Sequence, residues 1–291
     1  MQPARLADVP RVPRLKWHML RRLKSDPAFL RSNLQAALHA NAACEVDITL
    51  TADGHALCLH DRTLDRETTG QGPVASATRG QIERLRQRGA DGAPGTEPPL
   101  FLDELAATVQ AIGATLPAQV QLDVKVHMQA MTDHAVQRIA SIIAGNAGAF
   151  VASASDWHVV LRLTDVLPAL HAGFDPLALY PRALFPHELG LDAAGFRKLA
   201  HATLAAAPAA SVYYLEARLV LAALDLGVDL VDLVTRDGAW VDAWTVDADH
   251  PALAHVLQRL IDVGCTQITS NDPLLLAPMI AQMCGAAHEA R

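Results

Sequence analysis

Glu45, Asp47 and Thr49 alternate with Val46, Ile48 and Leu50 along one short run of the chain. Side chains two apart in a strand share a face, so the polar trio points one way and the apolar trio the other. The same alternation sets Gln121, Asp123 and Lys125 against Leu122, Val124 and Val126, and Arg14, Lys16 and His18 against Leu15 and Trp17. If these runs are neighbouring strands, three carboxylates and a lysine converge. Like charges held together away from water are costly unless a cation or protons compensate them. Two arrangements meet that need: an ion-pair network centred on Lys125, or a metal held by Glu45, Asp47 and Asp123. An oxygen-only donor set suits a hard divalent ion, Mg2+ or Ca2+, better than zinc.

Two histidines can serve the same place. His18 ends the first of these runs, and His60 ends a run from 56 to 60 that turns back after Asp53 and Gly54. An ordinary histidine pKa near 6.5 lets such a pair act as base and acid on either side of a bound anion. The chain holds 13 histidines, and it is the position at strand ends that selects these two.

A cluster of this kind needs a scaffold that brings several strand ends together. Short apolar runs alternate with longer amphipathic stretches from end to end. Strands are expected near 14–18, 44–50, 120–126, 149–153, 170–173, 211–214, 240–246 and 266–270. Helices are expected between them, among others at 29–40, 102–112, 132–144, 193–204, 215–226 and 251–263. Eight strands separated by helices predict an α/β fold of the (β/α)8 TIM-barrel type. The competing open sheet would carry a glycine-rich phosphate loop after its first strand, and neither GxGxxG nor GxxxxGK occurs. The rhythm breaks once, over residues 51–99, which are turn-rich and mostly polar. That stretch reads as a long excursion after the second strand, at the barrel end where loops carry function. With no repeat, low-complexity tract or linker, residues 1–291 read as a single domain.

Composition narrows the partners. Hydrophobic residues make up 51% of the 291 and charged residues 19%, which describes a folded globular chain rather than a disordered one. With 24 Lys+Arg against 31 Asp+Glu the net charge is −7, and no basic face is available for nucleic acid. The longest apolar stretches, 204–210 and 219–224, fall far short of the roughly 20 residues a membrane span needs. Residues 1–10 mix charge and proline and hold no apolar segment typical of export signals. Cys44, Cys58, Cys265 and Cys284 are too scattered for a disulfide framework, so a cytoplasmic protein with reduced thiols is expected.

The stretch from Glu45 to Gly70, reading EVDITLTADGHALCLHDRTLDRETTG, resembles the signature of the glycerophosphodiester phosphodiesterase family: E-x-D-V-x-x-T-x-D-G followed by H-D-x-x-L-x-R-T-T-x-G. Further pieces follow in the family's order. Residues 99–105 are similar to its P-x-L-x-E-L segment, 122–125 to its E-I-K strand, 244–247 to its W-T-V-N motif and 268–273 to its closing I-x-T-D-x-P. The resemblance implies a TIM barrel with one divalent metal on Glu45, Asp47 and Asp123. It also implies two catalytic histidines: His60 in the H-D pair, and His18, 27 residues before Glu45, in the place of an H-R-G motif.

The departures are specific. His18 is followed by Met19 and Leu20 instead of Arg and Gly, Asp123 stands where the family has Glu, and Asp247 where it has Asn. The E-N-T segment has its nearest remnant in Ser32-Asn33-Leu34. Without an arginine at 19, phosphate contact falls to Lys125 and to Arg21, Arg22 or Lys16, of which Lys16 shares a face with His18. The leading expectation is a metal-dependent phosphodiesterase releasing an alcohol and sn-glycerol 3-phosphate from a small-molecule diester. Which histidine is acid and which is base stays open. A lysophospholipase D-like or sugar-phosphodiester activity is the alternative, with Trp244, Trp157 and the apolar residues 174–185 around a larger alcohol. A non-catalytic metal- or phosphodiester-binding barrel is the third reading.

Overall fold

Alternating runs whose outward residues are Val, Ile and Leu can be covered only by helices, and the chain obeys that constraint. A computed structural model describes residues 6, 12–114, 119–179, 190–235 and 238–289. Its strands are β1 (Arg14–Trp17), β2 (Ala43–Leu50), β3 (Ala56–Cys58), β4 (Val120–Val124), β5 (Phe150–Ala154), β6 (His171–Phe174), β7 (Val212–Glu216), β8 (Trp240–Trp244) and β9 (Gln267–Ser270). Eight are parallel and run in the order β1-β9-β8-β7-β6-β5-β4-β2, and β1 pairs again with β2 to close the barrel. The expected TIM barrel is the observed fold.

The short β3 is the ninth strand. It pairs antiparallel with the outer half of β2, matching Ile48 to Cys58 and Leu50 to Ala56. It opens the expected excursion, which packs its own small core from Leu57, Leu59, Leu64, Val74, Ile82 and Phe101. Gly54 makes the reversal into β3 with φ of 74°, a left-handed conformation glycine adopts without strain.

The helices are α1 (Arg31–His39), α2 (Arg79–Ile82), α3 (Leu102–Ile112), α4 (Asp133–Ile143), α5 (Trp157–Val166), α6 (Ala193–Ala206), α7 (Ala217–Asp225), α8 (Leu230–Thr235), α9 (Leu253–Asp262) and α10 (Pro273–Glu289). In α4 the buried residues Ala135, Val136, Ile139, Ala140 and Ile143 repeat at helical spacing, and all but Ala140 belong to the core that holds Leu122 and Val124 of β4 and Phe150 of β5. Thr132 caps this helix by accepting from the Ala135 backbone N–H at 3.2 Å. Trp157 at the head of α5 packs edge-on against Phe174 with ring centroids 5.2 Å apart. That contact is core packing. Of the apolar residues 174–185 expected beside a larger alcohol, 180–185 lie outside the described residues.

Inside the barrel the layers grade from apolar to polar along the strands. The Arg14 guanidinium lies 4.3 Å from the Trp240 ring near the amino ends, and Val151 and Val212 pack around that indole. One layer up sit Lys16, Gln121, Ser153, Tyr214, Asp242 and Thr269, and above them the carboxyl ends open into a cavity. Register makes this layering automatic: β2 pairs with β4 so that Asp47 stands level with Asp123, and β4 pairs with β5 so that Asp123 stands level with Ser153.

Candidate active site

The cavity at the carboxyl end has a volume of about 790 Å3, and its walls include His18, Glu45, His60, Asp123, Lys125 and Trp244. Glu45 and Asp47 come from the middle of β2, Asp123 from β4, and Lys125 from the residue just past β4, where its backbone N–H still bonds Ile48 O at 2.9 Å. The convergence expected from alternation is present. Single oxygens of Glu45, Asp47 and Asp123 lie within 4.8 Å of one another. The Lys125 ammonium lies 2.8 Å from Asp47 Oδ1 and also bonds Asp123 Oδ2.

The electrostatics follow from that crowding. Burial pulls the Lys125 ammonium down, but Asp123, Asp47 and Glu45 outweigh it and hold its pKa well above the usual lysine range. Burial pushes Asp123 up, and Lys125 overrides this to leave it below its ordinary value. At Glu45 burial and the Asp47 charge outweigh Lys125 and raise its pKa well above the usual carboxylate range.

These residues fit a divalent cation. Asp47 Oδ2 is buried and makes no hydrogen bond with a described residue, so one residue of the cluster carries a buried acceptor left unsatisfied. With all three carboxylates ionised, the group set against one ammonium is two charges short of neutrality, which a single Mg2+ or Ca2+ supplies. A second grouping, His60, Asp61 and Glu67, has donor atoms at similar spacing. Its acids are already taken by Arg66, which binds Asp61 through two nitrogens at 2.6 and 2.7 Å and Glu67 Oε1 at 2.6 Å.

His18 lies just beyond β1, where the chain enters a tight turn over His18–Leu20. The Met19 backbone N–H donates to Glu45 Oε2 at 2.7 Å, tying the turn to the cluster. His18 Nδ1 is 2.9 Å from Asn271 Oδ1, and the Asn271 amide nitrogen in turn donates to both oxygens of Asp247 at 3.1 Å. Asp247 thus fixes which end of the amide meets the ring. The carbonyl oxygen faces His18, so Nδ1 carries the proton and Nε2 presents its lone pair, 3.9 Å from Glu45 Oε2. Burial lowers the His18 pKa, with the Asn271 hydrogen bond opposing it. His60 has a different neighbour. Its Nδ1 is 3.0 Å from Asp61 Oδ1, and the Arg66 guanidinium holds that carboxyl down to about 2.

Lys16 is among the residues lining the cavity. Its ammonium is 2.7 Å from Asp242 Oδ2, bonds Gln121 Oε1 and sits 4.4 Å from the centre of the Tyr214 ring. At 3% exposure it is held at the cavity wall by these partners. Alternation placed it on the correct face but could not say at which depth. Arg21, another suggested cation, is half-buried, and its Nε makes no hydrogen bond with a described residue. Asn33 of the degenerate E-N-T segment is buried against Asp26, at 3.3 Å.

Sequence reasoning left four residues without a role. Asp247 and Asn271 stood in recognised motifs, but only folding joins them to His18. Gln121 and Ser153 carried the signal of a polar side chain on an inward strand face. Trp244 lines the cavity as expected, and its indole nitrogen is buried without a hydrogen-bond partner among the described residues.

Residues 30–275 match the model of the glycerophosphoryl diester phosphodiesterase family. The chain belongs to this family. In sequence it is 43% identical over 72 residues to a Mycobacterium tuberculosis protein named "Probable glycerophosphodiester phosphodiesterase 1", a stretch covering 22% of this chain and 26% of that relative. The match therefore spans about a quarter of that relative's length. In structure it resembles an Oleispira antarctica phosphodiesterase, solved in complex with the product sn-glycerol-3-phosphate, with a TM-score of 0.66 and 15% identity over 92% of this chain and 97% of that one. A glycerophosphodiester phosphodiesterase from Parabacteroides distasonis gives 0.63 and 14% identity over 95% and 98%. At such identities these structures speak for the fold. The family assignment rests on the sequence match.

Proposed function

We propose that this protein is a metal-dependent phosphodiesterase that hydrolyses glycerophosphodiesters to an alcohol and sn-glycerol 3-phosphate. The observation that carries this reading is the convergence of three carboxylates, Lys125, His18 and His60 on one cavity in a chain of this family. Glu45, Asp47 and Asp123 are the residues to hold the cation, and a bound Mg2+ or Ca2+ supplies positive charge against the phosphoryl oxygens, lowering the repulsion a nucleophile meets. Lys125 contributes a further positive charge to the phosphate. Trp244 offers an apolar wall to the substrate.

The two histidines divide the proton transfers by their surroundings. His18, neutral and held by a neutral amide, presents Nε2 as the base that takes the proton from the attacking hydroxyl. His60, oriented by Asp61 at its Nδ1, is then the acid that delivers a proton to the departing alkoxide. Four free cysteines agree with a reducing, cytoplasmic setting, and among the described residues no helix is long and apolar enough to cross a membrane.

The test uses full-length protein stripped with a chelator and assayed on glycerophosphocholine, with sn-glycerol 3-phosphate as the readout. Activity should be absent without metal and return with Mg2+ or Ca2+. Asp47→Asn should weaken metal binding in calorimetry while circular dichroism stays unchanged. A protein that binds neither ion and releases no product sinks the reading. Release from lysophosphatidylcholine, but not from glycerophosphocholine, would move it to the larger-alcohol alternative.

A further inference from the structure

Lys16, Gln121 and Ser153 lie deep in the barrel and are almost closed to solvent, at 3%, 8% and 2% exposure. One row of hydrogen bonds links them. The Lys16 ammonium donates to Gln121 Oε1. The Gln121 amide nitrogen donates to Ser153 Oγ at 2.9 Å, and the Ser153 hydroxyl donates to Asp123 Oδ1, also at 2.9 Å. Every donor points the same way. With its carbonyl taken by an ammonium, the Gln121 amide can offer Ser153 only N–H, and a serine hydroxyl that accepts there keeps its single proton for Asp123. The row starts from a fixed cation, since Asp242 and the Tyr214 ring hold Lys16 from two other sides. Thr269 completes the anchor by donating to Asp242 Oδ1 at 2.6 Å.

We infer that this row is a positioning device for Asp123, setting its carboxylate as a metal ligand. The inference deepens the metal-dependent reading and rests on it. Asp123 stands where the resembled sequences carry glutamate, so its carboxylate is one methylene shorter and reaches less far from β4 towards Glu45 and Asp47. The two flanking donors divide the carboxylate between them, Ser153 on Oδ1 and Lys125 on Oδ2, and so fix its rotation while leaving a lone pair on each oxygen. Ser153 can do this because register sets it level with Asp123 on the neighbouring strand. Hydrogen-bond partners behind a metal ligand typically account for about 10–100-fold in metal affinity. Lys16, Gln121 and Ser153 border the cavity, and as positioning residues they act on the metal through Asp123.

Calorimetric titration of chelator-stripped, full-length protein with Mg2+, and separately with Ca2+, in the absence of substrate tests the device. Ser153→Ala should bind metal about 10–100-fold more weakly, and so should Gln121→Leu, which breaks the row while filling the same space. The two changes cut one path, so the double variant should lose no more than the worse single variant. If Ser153→Ala does not fold by circular dichroism, Gln121→Leu reads the same row alone. Unchanged affinity in both folded variants, with Asp47→Asn abolishing binding, overturns the device and leaves the metal reading standing. Losses that simply add overturn it as well, because independent effects need no row. A wild-type protein that binds neither ion overturns the device and the metal reading together.

Discussion

The two candidate catalytic histidines are the same residue type in two electrical settings. His18 faces an amide oxygen whose other end is pinned by Asp247, whereas His60 faces a carboxylate that Arg66 keeps ionised. A base needs a free lone pair and an acid needs a proton to give, so the proposed division of roles rests on the neighbours rather than on the rings. His60→Ala should lower kcat by about 10²–10⁴-fold. The fold should survive, because the His60 side chain is 47% exposed and packs little. Turnover within a few-fold of wild type, measured as release of sn-glycerol 3-phosphate, would remove His60 from the chemistry. Two lysines make a parallel case. Lys16 and Lys125 both line the cavity, yet the Lys16 side chain is almost closed to solvent, bound to Asp242, whereas a third of Lys125 is exposed.

Among the elements, the turn after β1 is where this chain differs most from the family pattern. Met19 and Leu20 both take left-handed conformations, with φ of 52° and 55°, where the resembled motif has arginine and glycine. A non-glycine residue there costs about 1–2 kcal/mol. Packing offsets it: Leu20 is fully buried and Met19 nearly so, both in the layer that also holds Phe29 and Leu34. The turn is kept because it sends the Met19 N–H to Glu45 and closes back through a 2.8 Å bond from Phe29 N to Met19 O. Leu20→Gly relieves the strain but deletes a buried leucine side chain, a change that costs about 2–5 kcal/mol. The variant should therefore melt at a lower temperature by calorimetry. A higher melting temperature would show that strain, and not packing, dominates this turn.

For the molecule as a whole, the barrel concentrates acids at its carboxyl end, and stability should record that with pH. Asp175, just past β6, lines the cavity, and burial raises its carboxyl to about 7 while a backbone bond from Leu177 N at 2.8 Å opposes the shift. In the unfolded chain the same group titrates near its ordinary value of about 4. Below that value both states are protonated and burial carries no charge penalty. Between about 4 and 7 the unfolded chain has released a proton that the fold retains, so stability falls as pH rises. Above 7 both are ionised and the loss levels out. In chelator, the melting temperature should decline across this window, and Asp175→Asn should flatten part of the decline. Equal slopes in the two proteins would show that Asp175 is not buried as a neutral acid.

Eight apolar runs separated by helical stretches were enough to state the barrel, and period-two alternation around Glu45, Asp47, Asp123 and Lys125 to state the inward faces and the acidic cluster, because strand geometry and outward burial are local consequences of side-chain order. The excursion of 51–99 was legible for the same reason, from its turns. Depth and pairing were not. Whether a lysine on an inward face meets solvent or another side chain depends on the layer at which the strands cross, and that is set by register between segments more than a hundred residues apart, as for Lys16 and Gln121. The link from Asp247 through Asn271 to His18 spans β9 and β1, neighbours in the closed barrel but at opposite ends of the chain. Sequence determined which residues could carry charge and which way each would point. Only tertiary structure decided which charges meet, because barrel closure brings together strands far apart in the chain and so chooses the partners open to each buried polar group.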